Sequence, residues 1–110
     1  IVLCLEYSGR RILLTGDLER EGLERLLRTP RVDTDVLLAP HHGSIKANTT
    51  DLARWATPEW VIASASDPDV EERLATRYGP AAHVLSTARR GAIRCRISEE
   101  GDLSVEPYRR

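Results

Sequence analysis

Two short polar segments carry the residues whose types and spacing could do chemistry. The first is Thr15-Gly16-Asp17, which places a carboxylate directly after a short apolar run. The second is Pro40-His41-His42-Gly43-Ser44, which holds two adjacent imidazoles between a proline and a glycine. Carboxylate and imidazole groups are suitable ligands for zinc, manganese or iron. The two segments therefore predict half of a two-metal hydrolase-type site, with Asp17, His41 and His42 as its metal ligands.

Each segment also has a purely structural interpretation. Asp17 could cap the amino end of a helix that starts at Leu18, and an adjacent histidine pair could simply be exposed on a loop. Both segments nevertheless follow a predicted strand, and ligand-bearing loops in α/β sheets follow the carboxyl ends of strands. Because both segments share this placement, the sequence supports a metal site as well as it supports the structural alternatives. A catalytic zinc needs three protein ligands, so the chain alone supplies too few.

Other chemistries find less support in the sequence. A serine nucleophile at Ser44, Ser64 or Ser66 would need a base and an orienting acid, and no G-x-S-x-G segment is present. No glycine-rich phosphate-binding loop occurs either. The third histidine, His83, lies far along the chain and precedes an apolar run, so we predict a structural role for it.

The composition limits the classes of protein that remain. A length of 110 residues suits one domain, and the formal net charge of -1 gives no electrostatic reason to expect a nucleic-acid or membrane partner. No run approaches the ~20 apolar residues that span a bilayer. Cys4 and Cys95 lie in apolar runs and are predicted to be buried small hydrophobes, although a disulfide between them stays open. The chain starts at Ile1 inside a predicted strand and contains no methionine, which predicts a piece of a longer protein.

Hydrophobic spacing predicts the elements that must position the two polar segments. Apolar runs predict strands and charged amphipathic stretches predict helices, in the order ββ-α-β-α-β-α-β-ββ. Alternation of this kind is typical of a layered α/β domain, and the absence of repeats and linkers predicts a single domain over residues 1–110. The predicted strands cover 1–7, 11–15, 36–39, 60–63, 84–86, 92–97 and 103–105, and the predicted helices cover 18–28, 49–55 and 70–78.

Three segments together resemble the metallo-β-lactamase-like domain of the ComEC family, the DNA-internalisation competence proteins. They are Leu13-Leu14-Thr15-Gly16-Asp17-Leu18-Glu19, Asp35-Val36-Leu37-Leu38-Ala39-Pro40-His41-His42-Gly43-Ser44 and Pro58-Glu59-Trp60-Val61-Ile62-Ala63-Ser64. The resemblance runs from Ile1 to about Ile97 and includes Gly91-Ala92-Ile93 near its end. It implies the layered sheet-and-helix half of an αββα fold, and hence the C-terminal portion of such a domain from a longer chain.

The resemblance also implies roles for residues and partners. Asp17 matches the superfamily's metal-bridging aspartate, and His41 or His42 matches a later histidine ligand. The implied metal of the intact protein is zinc or manganese, none being expected in this chain alone. The implied activity is nuclease-type phosphodiester hydrolysis, with single-stranded DNA and a membrane channel domain of the same chain as partners. The implied location is a soluble domain attached to a bacterial inner-membrane protein.

Two departures from the family pattern weaken the prediction of an active enzyme. The superfamily's H-x-H-x-D-H motif is absent, as expected if it lies upstream of Ile1. Family members also carry a Y-G-H-P segment after the strand that ends near Ser64. At that place this chain reads Ser64-Ala65-Ser66-Asp67-Pro68-Asp69. Two alternatives therefore stay open. One is a non-catalytic interaction module, and the other is a stand-alone metal-dependent hydrolase of the same superfamily.

Overall fold

The computed structural model describes residues 2–108, so the predicted strand residue Ile1 lies outside it. Within residues 2–108 the order of elements is the predicted one, with an additional short helix before the final hairpin. The strands are β1 (Leu3–Tyr7), β2 (Arg10–Leu14), β3 (Val36–Leu38), β4 (Trp60–Ala63), β5 (His83–Ser86), β6 (Ile93–Ile97) and β7 (Leu103–Pro107). The helices are α1 (Arg20–Leu27), α2 (Thr50–Ala56), α3 (Val70–Tyr78) and α4 (Thr87–Arg90).

Five strands form one sheet in the order β1-β2-β3-β4-β5. Strand β1 pairs antiparallel with β2. Strands β2 to β5 are parallel to one another, with Leu13, Leu37, Val61 and Val84 in register across them. The carboxyl ends of these four strands therefore meet at one edge of the sheet, where parallel α/β sheets place their ligand-binding loops.

The two faces of the sheet are covered differently. Helices α1, α2 and α3 cover one face, where Leu13 and Leu37 pack with Leu52 of α2, and Val61 packs with Leu74 of α3. The antiparallel hairpin β6–β7 covers the other face, with Val105 against Val36 and Ile62. The sheet thus lies between a helical layer and a second β layer. This arrangement confirms the prediction of a layered α/β fold.

The three longer helices begin in different ways. Thr49 caps α2, its side chain accepting a hydrogen bond from the Leu52 amide at 3.1 Å. Helix α1 begins at Arg20 rather than Leu18, and its N-cap is Glu19. Asp69 occupies the N-cap position of α3 without a capping bond from its side chain. The carboxylate of Asp67 accepts from the Asp69 amide at 2.9 Å instead.

The prediction of two buried cysteines holds only in part. Cys4 is exposed, because it lies on the edge strand β1, whose residues from Leu3 to Tyr7 are all exposed. Cys95 is half-buried among the apolar side chains between the sheet and the β6–β7 hairpin, and this burial raises the pKa of its thiol. Both cysteines are free thiols.

Strand β1 exposes an apolar stripe on the face of the sheet that carries the hairpin. Leu3, Leu5 and Tyr7 are 53%, 51% and 52% exposed, and their register partners on β2 are Leu14, Ile12 and Arg10. Contiguous exposed apolar surface often marks an interface. Among residues 2–108 we find no helix with the length and apolar character needed to cross a membrane.

Candidate functional site

The two polar segments lie at the same edge of the sheet. Thr15-Gly16-Asp17 follows β2, and Pro40–Gly43 follows β3, its parallel neighbour. The His41 amide donates to the Gly16 carbonyl at 2.8 Å, and the Thr15 hydroxyl donates to the Leu38 carbonyl at 2.6 Å. These two bonds join the aspartate turn to the histidine loop. The structure therefore brings together the two segments that the sequence singled out.

Asp17 is exposed in the turn between β2 and α1. Because α1 starts three residues later and Glu19 is its N-cap, the alternative of Asp17 as a helix cap was wrong. Its carboxylate takes part in no hydrogen bond or ion pair with other residues in 2–108. The side chain is therefore open to a ligand approaching this edge of the sheet, and its role as a metal ligand stays a prediction.

The histidine loop holds an unusual backbone conformation. His41 and His42 have φ values of 49° and 54°, and Gly43 continues with 85°. A left-handed residue other than glycine costs roughly 1–2 kcal/mol, so the surrounding structure must enforce the turn. The buried side-chain amide of Asn48 does so by donating to the carbonyls of Pro40 and Ser44 at 3.0 and 2.7 Å. Strain maintained in this way is concentrated at functional sites.

The ring of His42 is oriented by one specific hydrogen bond. Its Nδ1 lies 2.8 Å from the carbonyl oxygen of Ser64, at the carboxyl end of β4. A carbonyl only accepts, so Nδ1 carries the proton and the lone pair of the neutral ring is on Nε2. Histidines that bind metals through one nitrogen commonly donate from the other to a carbonyl or carboxylate. His42 thus has the tautomer and the support of a metal ligand.

His42 also lines a cavity of about 540 Å³ at this edge. The remaining walls come from the ends of β4 and β5: Ser64, Ala65, Ser66, Asp67 and Thr87. The Thr87 hydroxyl joins the two strand ends by bonding to the amide and the carbonyl of Ala65, at 3.0 and 3.1 Å. This cavity, which we call the His42 cleft, is where a molecule bound near His42 would lie.

The environment of His41 is different. Its Nδ1 is buried without a hydrogen-bond partner, and Glu19 Oε2 lies 3.7 Å from it. The two imidazole centroids are 6.3 Å apart, at an angle of 63°. A protonated His41 would pair with the Glu19 carboxylate. The sequence did not single out Glu19, although an acid two residues after Asp17 is visible there; a link to His41, 22 positions away, needs the fold.

The described residues do not form a complete metal centre. Among residues 2–108, no three His, Cys, Asp or Glu side chains are arranged so that they could hold a metal ion. The oriented His42 ring and the open Asp17 carboxylate are suitable ligands in kind, but a catalytic zinc requires a third protein ligand. His83 does not supply it, because it is exposed at the amino end of β5 and its ring packs 4.7 Å from that of Trp60. This placement agrees with the structural role predicted for His83.

Replacing Gly43 by alanine is expected to lower the free energy of unfolding by about 2–3 kcal/mol, from left-handed strain and overpacking together. A Cβ atom there would lie 2.6 Å from Val70 Cγ2 and 3.2 Å from Leu74 Cδ1, at a φ of +85°. Urea denaturation measures the loss. Gly9→Ala is the matched control, because Gly9 has φ +83° and nothing within 4 Å of an added Cβ. Equal losses in both variants would show that packing around Gly43 contributes nothing.

Fold and site together define an α/β domain with an aspartate turn and a histidine loop at the carboxyl edge of a parallel sheet. The chain is 31% identical over 114 residues to ComE operon protein 3 of Bacillus subtilis (strain 168), an alignment that covers 97% of this chain. The chain spans only 15% of the length of that protein. No family model matches the chain. The similarity supports a relationship to the competence proteins, in agreement with the resemblance found in the sequence.

Proposed function

We propose that this chain is part of a DNA-uptake protein of the ComEC competence family. Within it the chain forms the C-terminal portion of a metallo-β-lactamase-like domain that holds a metal-dependent phosphodiester hydrolase site. The similarity to ComE operon protein 3 along nearly the whole chain supports the first part. The observation that carries the second is the His42 ring, oriented through Nδ1 by the Ser64 carbonyl beside the aspartate turn.

In this proposal His42 coordinates the metal through Nε2 and Asp17 coordinates it through its carboxylate. His41 supports the loop, because its amide holds the Gly16 carbonyl and its ring faces Glu19. The metal is zinc or manganese, and when bound it acts as a Lewis acid and lowers the pKa of bound water. The chain's own contribution is to fix the His42 tautomer, to hold the aspartate turn against the histidine loop, and to provide the His42 cleft for the substrate.

The remaining ligands come, in this proposal, from a preceding part of a longer protein. The exposed stripe of Leu3, Leu5 and Tyr7 supports such a partner segment, because it continues the sheet face that the β6–β7 hairpin covers only in part. The proposed site in the longer protein is attached to a membrane channel domain. With two of the required ligands, the 110-residue chain by itself is expected to be inactive and to bind metal weakly.

Metal titration tests the proposal. Calorimetry with Zn²⁺ or Mn²⁺ is expected to show no tight stoichiometric binding to the 110-residue chain, and tight binding to the full-length protein. In the full-length protein, His42→Ala is expected to weaken metal binding by at least ~100-fold, beyond the ~10–100-fold lost when an outer partner of a ligand is removed. His41→Ala, the matched control, is expected to fall within or below that smaller range. Tight binding by the chain alone, or equal effects of the two substitutions, would contradict the assignment.

The second candidate function is a non-catalytic interaction module that keeps the fold. The observation that favours it is the segment after β4, which carries no histidine and forms the wall of the His42 cleft. Metal analysis of the purified full-length protein separates the two candidates. Protein isolated without metal, whose DNA uptake is unaffected by His41→Ala together with His42→Ala, would establish the module.

A further inference from the structure

Two cavities on the outer side of α2 and α3 form one groove. The first has a volume of about 530 Å³ and the second about 360 Å³, and both are lined by Thr50 and Arg77. The first is completed by Ile45, Arg73 and Thr76. The second extends between the carboxyl ends of the two helices, past Arg54 and Tyr78. We call this continuous depression the α2–α3 groove.

The groove concentrates positive charge in a protein whose net charge is -1. Arg54, Arg73 and Arg77 line it, and none of its lining residues is Asp or Glu. Arg73 and Arg77 are four positions apart on α3, a spacing at which like charges destabilise a helix by roughly 0.2–0.5 kcal/mol. An anionic ligand would relieve the repulsion between these cations, so the group is suited to binding one.

Two of the three guanidinium groups are available to such a ligand. In the described part of the chain, Arg54 and Arg77 take part in no ion pair. Arg77 donates one bond, to the Asn48 carbonyl at 2.9 Å, which fixes the guanidinium and leaves its other donors open. Next to the guanidiniums, Pro58 and the ring of Tyr78 line the second cavity. Cations beside aromatic and apolar walls match the phosphates and bases of a nucleic-acid strand.

The groove leads away from the His42 cleft. Arg73, at its near end, pairs with Asp67 at 2.6 Å, and Asp67 is part of the wall of the cleft. Ile45, also at the near end, follows His42 by three positions. The arginine-lined groove therefore begins beside the cleft and continues past Arg54.

We propose that the α2–α3 groove binds the sugar-phosphate backbone of a single-stranded nucleic acid whose reacting end lies in the His42 cleft. The inference deepens the proposed function and rests on it, since it gives the strand a path to the site. Cavities of about 360 and 530 Å³ are on the scale of small-molecule sites. A single strand presents both its phosphates and its unstacked bases, which match the guanidinium groups and the apolar wall of the groove.

Fluorescence anisotropy with a labelled 20-nucleotide single-stranded DNA tests the groove, using the whole chain in the presence of a chelator. The double variant Arg54→Ala with Arg77→Ala is expected to raise Kd at least ~10-fold. It is also expected to make the slope of log K against log salt shallower by about 1.4, because a single strand loses roughly 0.7 per phosphate contact. The matched control, Arg25→Ala with Arg96→Ala, removes the same charge from exposed arginines outside the groove and is expected to leave Kd within ~2-fold.

Two further ligands test whether the groove prefers a single nucleic-acid strand to other polyanions. A duplex of the same sequence and a polyglutamate of equal charge are each expected to bind at least ~10-fold more weakly than the single strand. Equal binding of either one, or equal effects of the two double variants, would overturn the proposal. If Arg77→Ala fails to fold by circular dichroism, Arg54→Ala alone is expected to give half the change in slope. The chelator makes the measurement independent of metal, so its outcome tests the groove separately from the metal site.

Discussion

Replacing Asn48 by alanine is expected to lower the free energy of unfolding by about 3–5 kcal/mol, because each buried polar group left unsatisfied costs about 1–3 kcal/mol. Asn48 is completely buried, and its amide group donates to the carbonyls of Pro40 and Ser44. Its Oδ1 accepts a hydrogen bond of 2.6 Å from the Tyr78 hydroxyl. Truncation leaves the Pro40 carbonyl and the Tyr78 hydroxyl without this side chain, whereas the Ser44 carbonyl keeps its bond from the backbone amide of residue 48 at 2.9 Å. The loop that carries the histidines is thereby expected to be released.

Urea denaturation of the two proteins measures this loss, and Tyr78→Phe is the matched control. That substitution removes only the bond to Oδ1, so we expect it to cost about 1–2 kcal/mol and to leave the loop in place. Hydrogen exchange of the His41 amide reports the loop itself, since this amide is bonded to the Gly16 carbonyl. Faster exchange is expected in Asn48→Ala only. A stability loss below about 1 kcal/mol would show that the loop conformation does not depend on Asn48.

The structure places the aspartate turn beside the histidine loop, as the sequence pattern indicated, because both segments follow strand ends. Short apolar runs end at Leu14 and Leu38, and in a parallel sheet their ends meet whatever the details of packing. The two strand-end segments could therefore be placed side by side from pattern alone. What the pattern could not supply is the tautomer of His42, because that depends on Ser64, which lies 22 positions later on a different strand.

The sequence mispredicted or missed the burial of residues whose surroundings depend on contacts with distant parts of the chain. Cys4 lies in a continuous apolar run that is typical of a buried strand, yet β1 is at the edge of the sheet. Cys4 is in register with Leu13 on the helical face, and at this edge strand it stays exposed. Asn48 is in a polar loop segment, where burial is not expected from composition, and becomes a buried anchor only because α3 brings Tyr78 to it. Glu71 is a similar case, since its charge gave no reason to expect burial in α3.

Replacing Glu71 by alanine is expected to cost about 3–4 kcal/mol at neutral pH, within the range found when one partner of a buried ion pair is removed. Glu71 is only 6% exposed, and its carboxylate accepts from the amide and hydroxyl of the buried Ser86, at 3.0 and 3.1 Å. It also pairs with Arg90 at 3.1 Å. These bonds tie α3 to the end of β5 and the start of α4, which form one wall of the His42 cleft. Arg90→Ala is the matched comparison and is expected to cost less, because Arg90 is 44% exposed and its loss leaves Ser86 bonded to Glu71.

The contribution of Glu71 is expected to depend on pH. Burial by itself raises the pKa of the Glu71 carboxyl, but the hydrogen bonds from Arg90 and from Ser86 outweigh it and hold the pKa below its ordinary value. The stabilisation is therefore complete above the unfolded pKa of about 4.3 and is lost as the pH falls through the lower folded value. Glu71→Gln cannot ionise, so the stability difference between it and the unmodified chain should narrow as the pH falls from 6 to below ~4. Denaturation curves across this range measure that difference, and a gap that stays constant would mean that the charge of Glu71 does not stabilise the fold.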